Sequence, residues 1–231
     1  ENKPLRFKDL KPAFTRKDLN GDAFLCDLGC LTRADYRDVY EPNEDTYLLV
    51  DALNLEAGRI APPKVVVEAG VGSGAVITSF SLLLKRAGNL TEDARLLGTD
   101  INPLALDAAR RVAEKNAAKV EFHECQLLSG LADLSGLCDV IIFNPPYVVT
   151  SKEELADAQT KKGIAASWAG GEKGVEVLLD FLPQARKMIK PGSGILYLLL
   201  IEENLGIIAQ IEALGFAWEV VIKREVMCEN Q

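Results

Sequence analysis

The residues with the clearest chemical potential in this chain are Asn144, Pro145, Pro146 and Tyr147, which directly follow the apolar run CDVIIF at 138–143. The two prolines lack a backbone N–H, fix φ at about −65° and push the preceding residue toward an extended conformation. The turn is therefore rich in acceptors, namely the Asn144 side-chain oxygen and the Pro145 carbonyl. Two adjacent acceptors suit a planar NH₂-bearing group whose face Tyr147 covers. The pattern predicts a site that holds an amide or an exocyclic amine, with its nitrogen free to attack an electrophile.

A second cluster indicates a cofactor beside that turn. The segment EAGVGSGA begins at Glu68 and places glycines at 70, 72 and 74, which allow a tight turn and close approach of a ligand. The spacing differs from the dinucleotide fingerprint, because Ala75 occupies the slot of the third glycine. Asp100 ends the next apolar run, where a carboxylate can accept from both hydroxyls of a ribose. Burying Glu68 is costly without a partner, so we expect either a cationic ligand or a salt bridge to Lys or Arg.

The expected reaction is transfer of a methyl group from a sulfonium to the held nitrogen. Such a transfer needs no general base beforehand, and positioning supplies much of the acceleration. His123 is the only histidine, so histidine-based acyl transfer is not expected. One histidine also leaves a zinc site short of ligands, and we predict no metal.

These residues must be positioned by alternating strands and helices. Apolar runs at 64–69, 94–100, 119–124, 138–143, 194–201 and 216–223 predict six strands, with amphipathic helices between them. Asn102 and Pro103 are typical of a helix start, and Pro183 is a candidate kink in the helix at 174–189. The alternation predicts an α/β fold with a mostly parallel, doubly wound sheet, whose ligands bind outside the carboxyl ends of the strands.

Composition limits the classes of function. The net charge of −8 and pI of about 4.9 argue against tight binding of duplex nucleic acid by the chain alone. No apolar run approaches the roughly 20 residues that span a bilayer, and the first residues lack the apolar segment of a signal peptide. The five cysteines are an odd number and indicate reduced thiols. We expect a cytoplasmic protein, with the nucleus as a second location.

The motifs together resemble a known family. NPPY after a strand, the EAGVGSG loop and TDINP resemble the S-adenosylmethionine-dependent amino-methyltransferases with an (N/D)PP(Y/F) motif, which include adenine-N6 and glutamine-N5 enzymes. DVYEPNEDTYLLVDAL at 38–53, FNPPYVVTS and AASWAGGEKGVEVL resemble the HemK-like glutamine methyltransferases of eukaryotic and archaeal type. Those enzymes modify the glutamine of the Gly-Gly-Gln motif in class I translation release factors. The resemblance implies a Rossmann-like class I methyltransferase domain at 36–231, preceded by an N-terminal extension at 1–35.

The resemblance also implies roles for individual residues. The cofactor-binding residues would be Thr46, Glu68, Gly70, Gly72, Asp100, Gln126, Leu127 and Asn144. The catalytic residues would be Asn144, Pro145 and Tyr147, and the substrate-binding residues Asn144, Pro145, Pro146, Tyr147 and Val148. Gln126 stands where the family commonly has an acidic residue, and its oxygen can still accept from the adenine amine. The family sheet ends in an antiparallel strand, which is truncated here or lies beyond Gln231.

A partner is implied as well, because related enzymes form a heterodimer with a small zinc-binding activator protein that covers the sheet edge at 119–124.

Three alternative functions stay open: an adenine-N6 DNA methyltransferase, a protein lysine methyltransferase, and an inactive cofactor-binding assembly subunit. The acidic charge and the lack of a target-recognition domain count against DNA. Locally, YEPNEDT could be only a helix start capped by Asn43 or Asp45. The resemblance makes SWAGGEKG part of the substrate wall, whereas the residues alone leave it as a glycine-rich loop, with Trp168 equally suited to the core.

Overall fold

A computed structural model describes residues 5–19 and 24–225, and its centre is one parallel β-sheet. The five strands are β1 Val65–Ala69, β2 Arg95–Asp100, β3 Glu121–Glu124, β4 Val140–Phe143 and β5 Ile195–Leu198. They lie in the order β3-β2-β1-β4-β5, and every neighbouring pair is parallel. The order reverses between β1 and β4, which is the point where open α/β sheets bind their ligands.

Among the described residues, six α-helices accompany the strands. They are α1 Glu44–Glu56, α2 Ala75–Ala87, α3 Pro103–Lys115, α4 Lys152–Lys161, α5 Glu176–Met188 and α6 Ile208–Ala213. The predicted start of α3 is confirmed, because the Asn102 side chain accepts from the N–H of Leu104 at 2.9 Å and Pro103 opens the helix. Pro183 lies inside α5, as its position in the predicted helix requires.

The core consists of two apolar layers, one on each face of the sheet. Alternate strand residues point to opposite faces, so Val66 and Ile142 pack with α1 and α2, whereas Val67 and Ile141 pack with α5. The three central strands β1, β2 and β4 are buried on both sides, which explains their continuous apolar runs. This packing holds the carboxyl ends of β1, β2 and β4 at one edge of a rigid sheet.

The predicted sixth strand at 216–223 is wrong. Its backbone pairs with the N-terminal segment, in a single parallel bridge between Pro12 and Val220. The Val220 carbonyl accepts from the N–H of Ala13 at 2.7 Å, and the Val221 carbonyl accepts from the N–H of Phe14 at 2.9 Å. These acceptors are thereby used outside the sheet. Within residues 5–19 and 24–225 the sheet has five parallel strands and no antiparallel one, and positions 226–231 lie outside the described residues.

The helix expected after β5 begins as a 3₁₀ helix at Glu202–Ile207 before α6 follows. None of the helices in the described part of the chain is both long and apolar enough to cross a membrane. The domain boundary at residue 36 stays a prediction.

Candidate functional site

The site is a pocket at the carboxyl ends of β1, β2 and β4. Six of the residues predicted to act there line it together: Gly70, Asp100, Gln126, Leu127, Asn144 and Pro146. Leu155 and Gln159 of α4 and Val177 of α5 also line it. The other predicted site residues are not among those that line it: Thr46, Glu68, Gly72, Pro145, Tyr147 and Val148. Residues that are far apart in the chain thus meet at one edge of the sheet.

Asp100 ends β2 with its carboxylate oriented by the backbone. One oxygen accepts from the N–H of Gly72 at 2.9 Å, and the other accepts from the N–H of Asn102 at 2.9 Å. Gly72 has a φ of +51° and Gly70 a φ of +64°, conformations that side chains other than glycine rarely adopt. Burial raises the pKa of Asp100 above its ordinary value. Each oxygen keeps a further lone pair, so the carboxylate can still accept from hydroxyl groups in the pocket.

Glu68 lies deeper in the protein, at 2% exposure. Its carboxylate accepts from the N–H of Ile77 at 2.8 Å, in the first turn of α2. Burial, followed by the negative charge of Asp100, raises the pKa of Glu68 well above its ordinary value. Among residues 5–19 and 24–225, its hydrogen-bond partner is a helix N–H and not the Lys or Arg side chain of the alternative prediction. A single neutral donor leaves most of the cost of ionising this group uncompensated.

Asn144 directly follows β4, and its side chain is held at one end. The amide nitrogen donates to an Asp45 oxygen at 3.0 Å. The amide oxygen, Oδ1, is buried and has no hydrogen-bond partner among the described residues. A buried polar atom without a partner is unusual and calls for an explanation. Here the atom is an acceptor beside the pocket, which suits a ligand that brings its own N–H.

Asp45 lies between several donors at this end of the pocket. The Tyr40 hydroxyl donates from 3.1 Å, the N–H of Thr46 from 2.7 Å, and the Tyr147 hydroxyl from 3.4 Å. Burial first, and then the charge of Asp45, raises the pKa of both Tyr40 and Tyr147. Both phenols therefore stay protonated near neutral pH and act as donors to Asp45.

Thr46 lies in the first turn of α1 and serves the start of that helix. Asn43 is the N-cap, and Thr46 completes a capping box with it by accepting from the Asn43 N–H at 3.4 Å. The interpretation of YEPNEDT as a capped helix start is thus correct, with Asn43 and not Asp45 as the cap. The segment does more than cap the helix, because the Asp45 carboxylate accepts a hydrogen bond from the Asn144 amide nitrogen.

The SWAGGEKG loop packs directly on the Asn-Pro-Pro-Tyr turn. Val148 donates to the Trp168 carbonyl at 2.9 Å and accepts from the N–H of Gly170 at 2.8 Å. A Cβ at Gly174 would overlap the carbonyl oxygen of Tyr147, so only glycine permits this approach. Trp168 is 40% exposed, and its placement in the core is wrong. The loop therefore supports the backbone of the turn from outside.

Sequence reasoning missed Asp45, Tyr40 and the supporting glycines as parts of the site. Both Tyr40 and Asp45 lie in DVYEPNEDT. Because this segment matches a helix start well, its sequence pattern gives no separate sign that these two side chains belong to the site. Asp45 and Asn144 are 99 positions apart, and no local pattern connects them. For metals, the prediction stays untested; among residues 5–19 and 24–225 no group of three or more His, Cys, Asp or Glu side chains is arranged to hold an ion. Cys228 lies outside these ranges.

Comparison with known proteins agrees with this geometry. A structure of a T. thermophilus 16S rRNA methyltransferase has the same fold, with a TM-score of 0.53 and 20% identity over 77% of this chain and 42% of that chain. The sheet order and the position of the pocket are those of a Rossmann-like class I methyltransferase. The sequence profile of the methyltransferase small domain matches residues 41–172.

Proteins of similar sequence show which methyltransferases this chain is related to. Mouse methyltransferase HEMK2 is 40% identical over 76% of this chain and 78% of its own. The Schizosaccharomyces pombe eRF1 methyltransferase catalytic subunit is 31% identical over 74% of this chain and 75% of its own. A Deinococcus radiodurans release factor glutamine methyltransferase is 31% identical over 83% of this chain and 65% of its own. The chain belongs to the HEMK2-type methyltransferases of the methyltransferase small domain family, which confirms the family predicted from its motifs.

Proposed function

We propose that this methyltransferase transfers a methyl group from S-adenosylmethionine to the side-chain amide nitrogen of the glutamine in the Gly-Gly-Gln motif of a class I translation release factor. The observation that carries the proposal is the buried, unpartnered oxygen of Asn144, held at the mouth of a pocket by the bond from its nitrogen to Asp45. Two relatives, of S. pombe and D. radiodurans, are named for the methylation of release factors, which supports this substrate.

The residues of the pocket fit S-adenosylmethionine. Asp100 would accept from the ribose hydroxyls, and Gln126 and Leu127 would contact the adenine. Glu68, Gly70, Gly72 and Thr46 would hold the methionine part, and the buried Glu68 carboxylate would gain a cationic partner in the ammonium group. Asn144 borders the cofactor as well as the substrate. When bound, the cofactor supplies a methyl group that its sulfonium makes electrophilic.

The Asn-Pro-Pro-Tyr turn would hold the glutamine. The Asn144 oxygen accepts one hydrogen of the target NH₂ and the Pro145 carbonyl accepts the other, which adds electron density to nitrogen and fixes its direction. Pro146, Tyr147 and Val148 form the surrounding wall. Because Tyr40 and Tyr147 remain protonated, neither serves as a base near neutral pH. The proton leaves after transfer, and no side chain has to remove it beforehand.

The partner in this proposal is the small zinc-binding activator protein. β3 is an edge strand of the sheet, only four residues long and partly exposed. An open edge is a surface on which a second chain can add. We place the activator on β3, and the complex in the cytoplasm, where release factors act.

Adenine-N6 methylation of DNA is the second candidate, because adenine also presents a planar NH₂ to the same two acceptors. The net charge of −8 opposes it. Incubating the chain, with and without the activator, with tritiated S-adenosylmethionine and either release factor or DNA separates the two. We expect label in the release factor, at its Gly-Gly-Gln glutamine. Label in DNA alone would overturn the proposal.

Two variants separate the roles of the site residues. Asn144→Ala should lower kcat by about 10²- to 10³-fold, as expected on removal of one preorganised group, while cofactor affinity measured by calorimetry stays nearly unchanged. Asp100→Ala should instead raise the cofactor Kd about tenfold or more, because a charged hydrogen-bond acceptor is lost. The reverse pattern would show that the cofactor and substrate sides are misassigned.

A further inference from the structure

We infer that Asp45 is a positioning residue for methyl transfer: it fixes the Asn144 amide with the oxygen, and not the nitrogen, toward the substrate. The inference rests on the proposed function, since it concerns how the same pocket presents its acceptor. It differs from it in naming a side chain that touches neither substrate nor cofactor.

The contacts of Asp45 are divided between its two oxygens. Oδ1 accepts from the N–H of Thr46 at 2.7 Å, and that backbone donor fixes its place. Oδ2 accepts from the Asn144 amide nitrogen at 3.0 Å and from the Tyr147 hydroxyl at 3.4 Å. The Tyr40 hydroxyl lies 3.1 Å from each oxygen. One carboxylate oxygen therefore accepts from the backbone of α1, and the other accepts from side chains of the Asn-Pro-Pro-Tyr turn.

An asparagine amide needs such a device because its two ends are nearly the same shape. A half-turn about the last side-chain bond exchanges the NH₂ and the oxygen, and only hydrogen bonds decide between the two orientations. A carboxylate accepts and never donates, so Asp45 stabilises the orientation with nitrogen toward itself, through a charge-assisted bond. The opposite orientation would set two oxygens against each other and present donors to an NH₂ substrate.

A role in capping alone does not account for these contacts. Asn43 caps α1 and Thr46 closes the capping box, so the helix start does not depend on the Asp45 oxygen that faces Asn144. That oxygen contacts residues 99 and 102 positions away. A purely local role would also leave unexplained why the other end of the Asn144 amide is buried and unpartnered.

The test exchanges the two functional groups. In Asp45→Asn, the oxygen of the new amide keeps the bond from the Thr46 N–H, and its NH₂ group faces Asn144. Two NH₂ groups would then oppose each other, so the Asn144 amide rotates and presents its NH₂ group, instead of its oxygen, to the substrate. In Asn144→Asp, two carboxylates face each other. In the double variant, the amide at position 45 donates to one oxygen of the carboxylate at 144, and the other oxygen is presented to the substrate.

We expect each single variant to lower kcat for release-factor methylation by about 10²-fold or more, and the double variant to recover at least tenfold over either single. Glu44→Gln is the control, because it removes the same charge from the same helix turn but faces Arg224; its kcat should match the parent. Cofactor Kd by calorimetry and thermal unfolding confirm that each variant is folded and loaded.

The outcomes are distinct. A folded, cofactor-binding Asp45→Asn variant with parental kcat would overturn the inference, and so would a double variant no better than the worse single. If the parent protein itself fails to label release factor, the proposed function is wrong instead. Recovery in the double variant would support the inference, since loss of helix capping cannot be repaired from position 144.

Discussion

At the scale of residues, the site contains two carboxylates, half-buried Asp100 and buried Glu68, which differ in the number of hydrogen bonds they accept. Asp100 accepts from two backbone N–H groups, one on each oxygen. Glu68 is more deeply buried and accepts from one, the N–H of Ile77. Its pKa is raised well above the ordinary value, chiefly by burial. The Glu68 carboxylate therefore favours binding of a cation, but its burial destabilises the cofactor-free protein when it is ionised.

Replacing Glu68 by Gln should separate these two effects. Between the unfolded and the raised folded pKa the native state binds more protons, so the free energy of unfolding falls as pH rises. A tenfold difference in acidity between the folded and the unfolded state corresponds to about 1.4 kcal/mol. We expect Glu68→Gln to raise the Tm of the cofactor-free protein at pH 8, with a gain that shrinks toward pH 4, and to weaken cofactor binding in calorimetry.

Glu121→Gln is the matched control, because Arg95 lowers the pKa of that exposed carboxyl. A lowered folded pKa adds stability above the unfolded pKa, so this variant should show no gain at pH 8. A Glu68→Gln variant less stable than the parent at every pH would mean that the ionised carboxylate has a compensating partner.

At the scale of elements, the glycine turn between β1 and α2 also permits two helices to approach. Gly74 has a φ of +79°, and a Cβ there would lie 2.8 Å from the Ala109 Cα of α3. Gly88, at the other end of α2, has a φ of +74° but open space around it. Gly74 therefore makes a packing contact between helices, whereas Gly70 lines the pocket.

These two glycines give a measurement of that contact. Gly88→Ala should lower the free energy of unfolding by about 1–2 kcal/mol, the cost of a side chain in a left-handed conformation. Gly74→Ala adds overpacking of about 1–3 kcal/mol to the same cost. Urea unfolding monitored by circular dichroism checks the difference. Equal losses in the two variants would show that α3 moves aside without cost.

At the scale of the whole molecule, the sheet has two edges, β3 and β5. β5 is followed by a chain that pairs with the N-terminal segment, where Lys223 donates to the Phe7 carbonyl at 3.1 Å and lies over the Phe7 ring. The first and last described segments thus hold each other on the β5 side. The β3 side has a short strand with exposed ends and is the more accessible edge.

Hydrogen exchange should reveal which edge the activator covers. Adding the zinc-binding activator protein should slow exchange of the amides at 121–124 by about tenfold or more, because backbone groups at an uncovered edge open readily. The amides of β5 at 195–198 are the internal control and should not change. Protection of β5 with no effect at β3 would show that the partner binds the opposite edge of the sheet.

Much of the architecture was predictable because its causes are local. Continuous apolar runs indicated β1, β2, β4 and β5, and Asn102-Pro103 indicated the start of α3. The run at 216–223 is also mostly apolar yet forms no strand of the sheet, because its backbone pairs with the N-terminal segment, where the Val220 carbonyl accepts from the N–H of Ala13. For Trp168 the sequence left a core position open, and the structure leaves this side chain 40% exposed.

The amino-acid sequence alone sets the chemistry of the Asn-Pro-Pro-Tyr turn, because donor loss and backbone restriction are properties of proline wherever it occurs. It also determined that glycines and Asp100 would follow neighbouring strands. Only the tertiary structure decided which end of the Asn144 amide faces the pocket. That orientation depends on Asp45, 99 positions away, and hydrogen bonds between distant side chains exist only after the sheet has placed α1 against the end of β4.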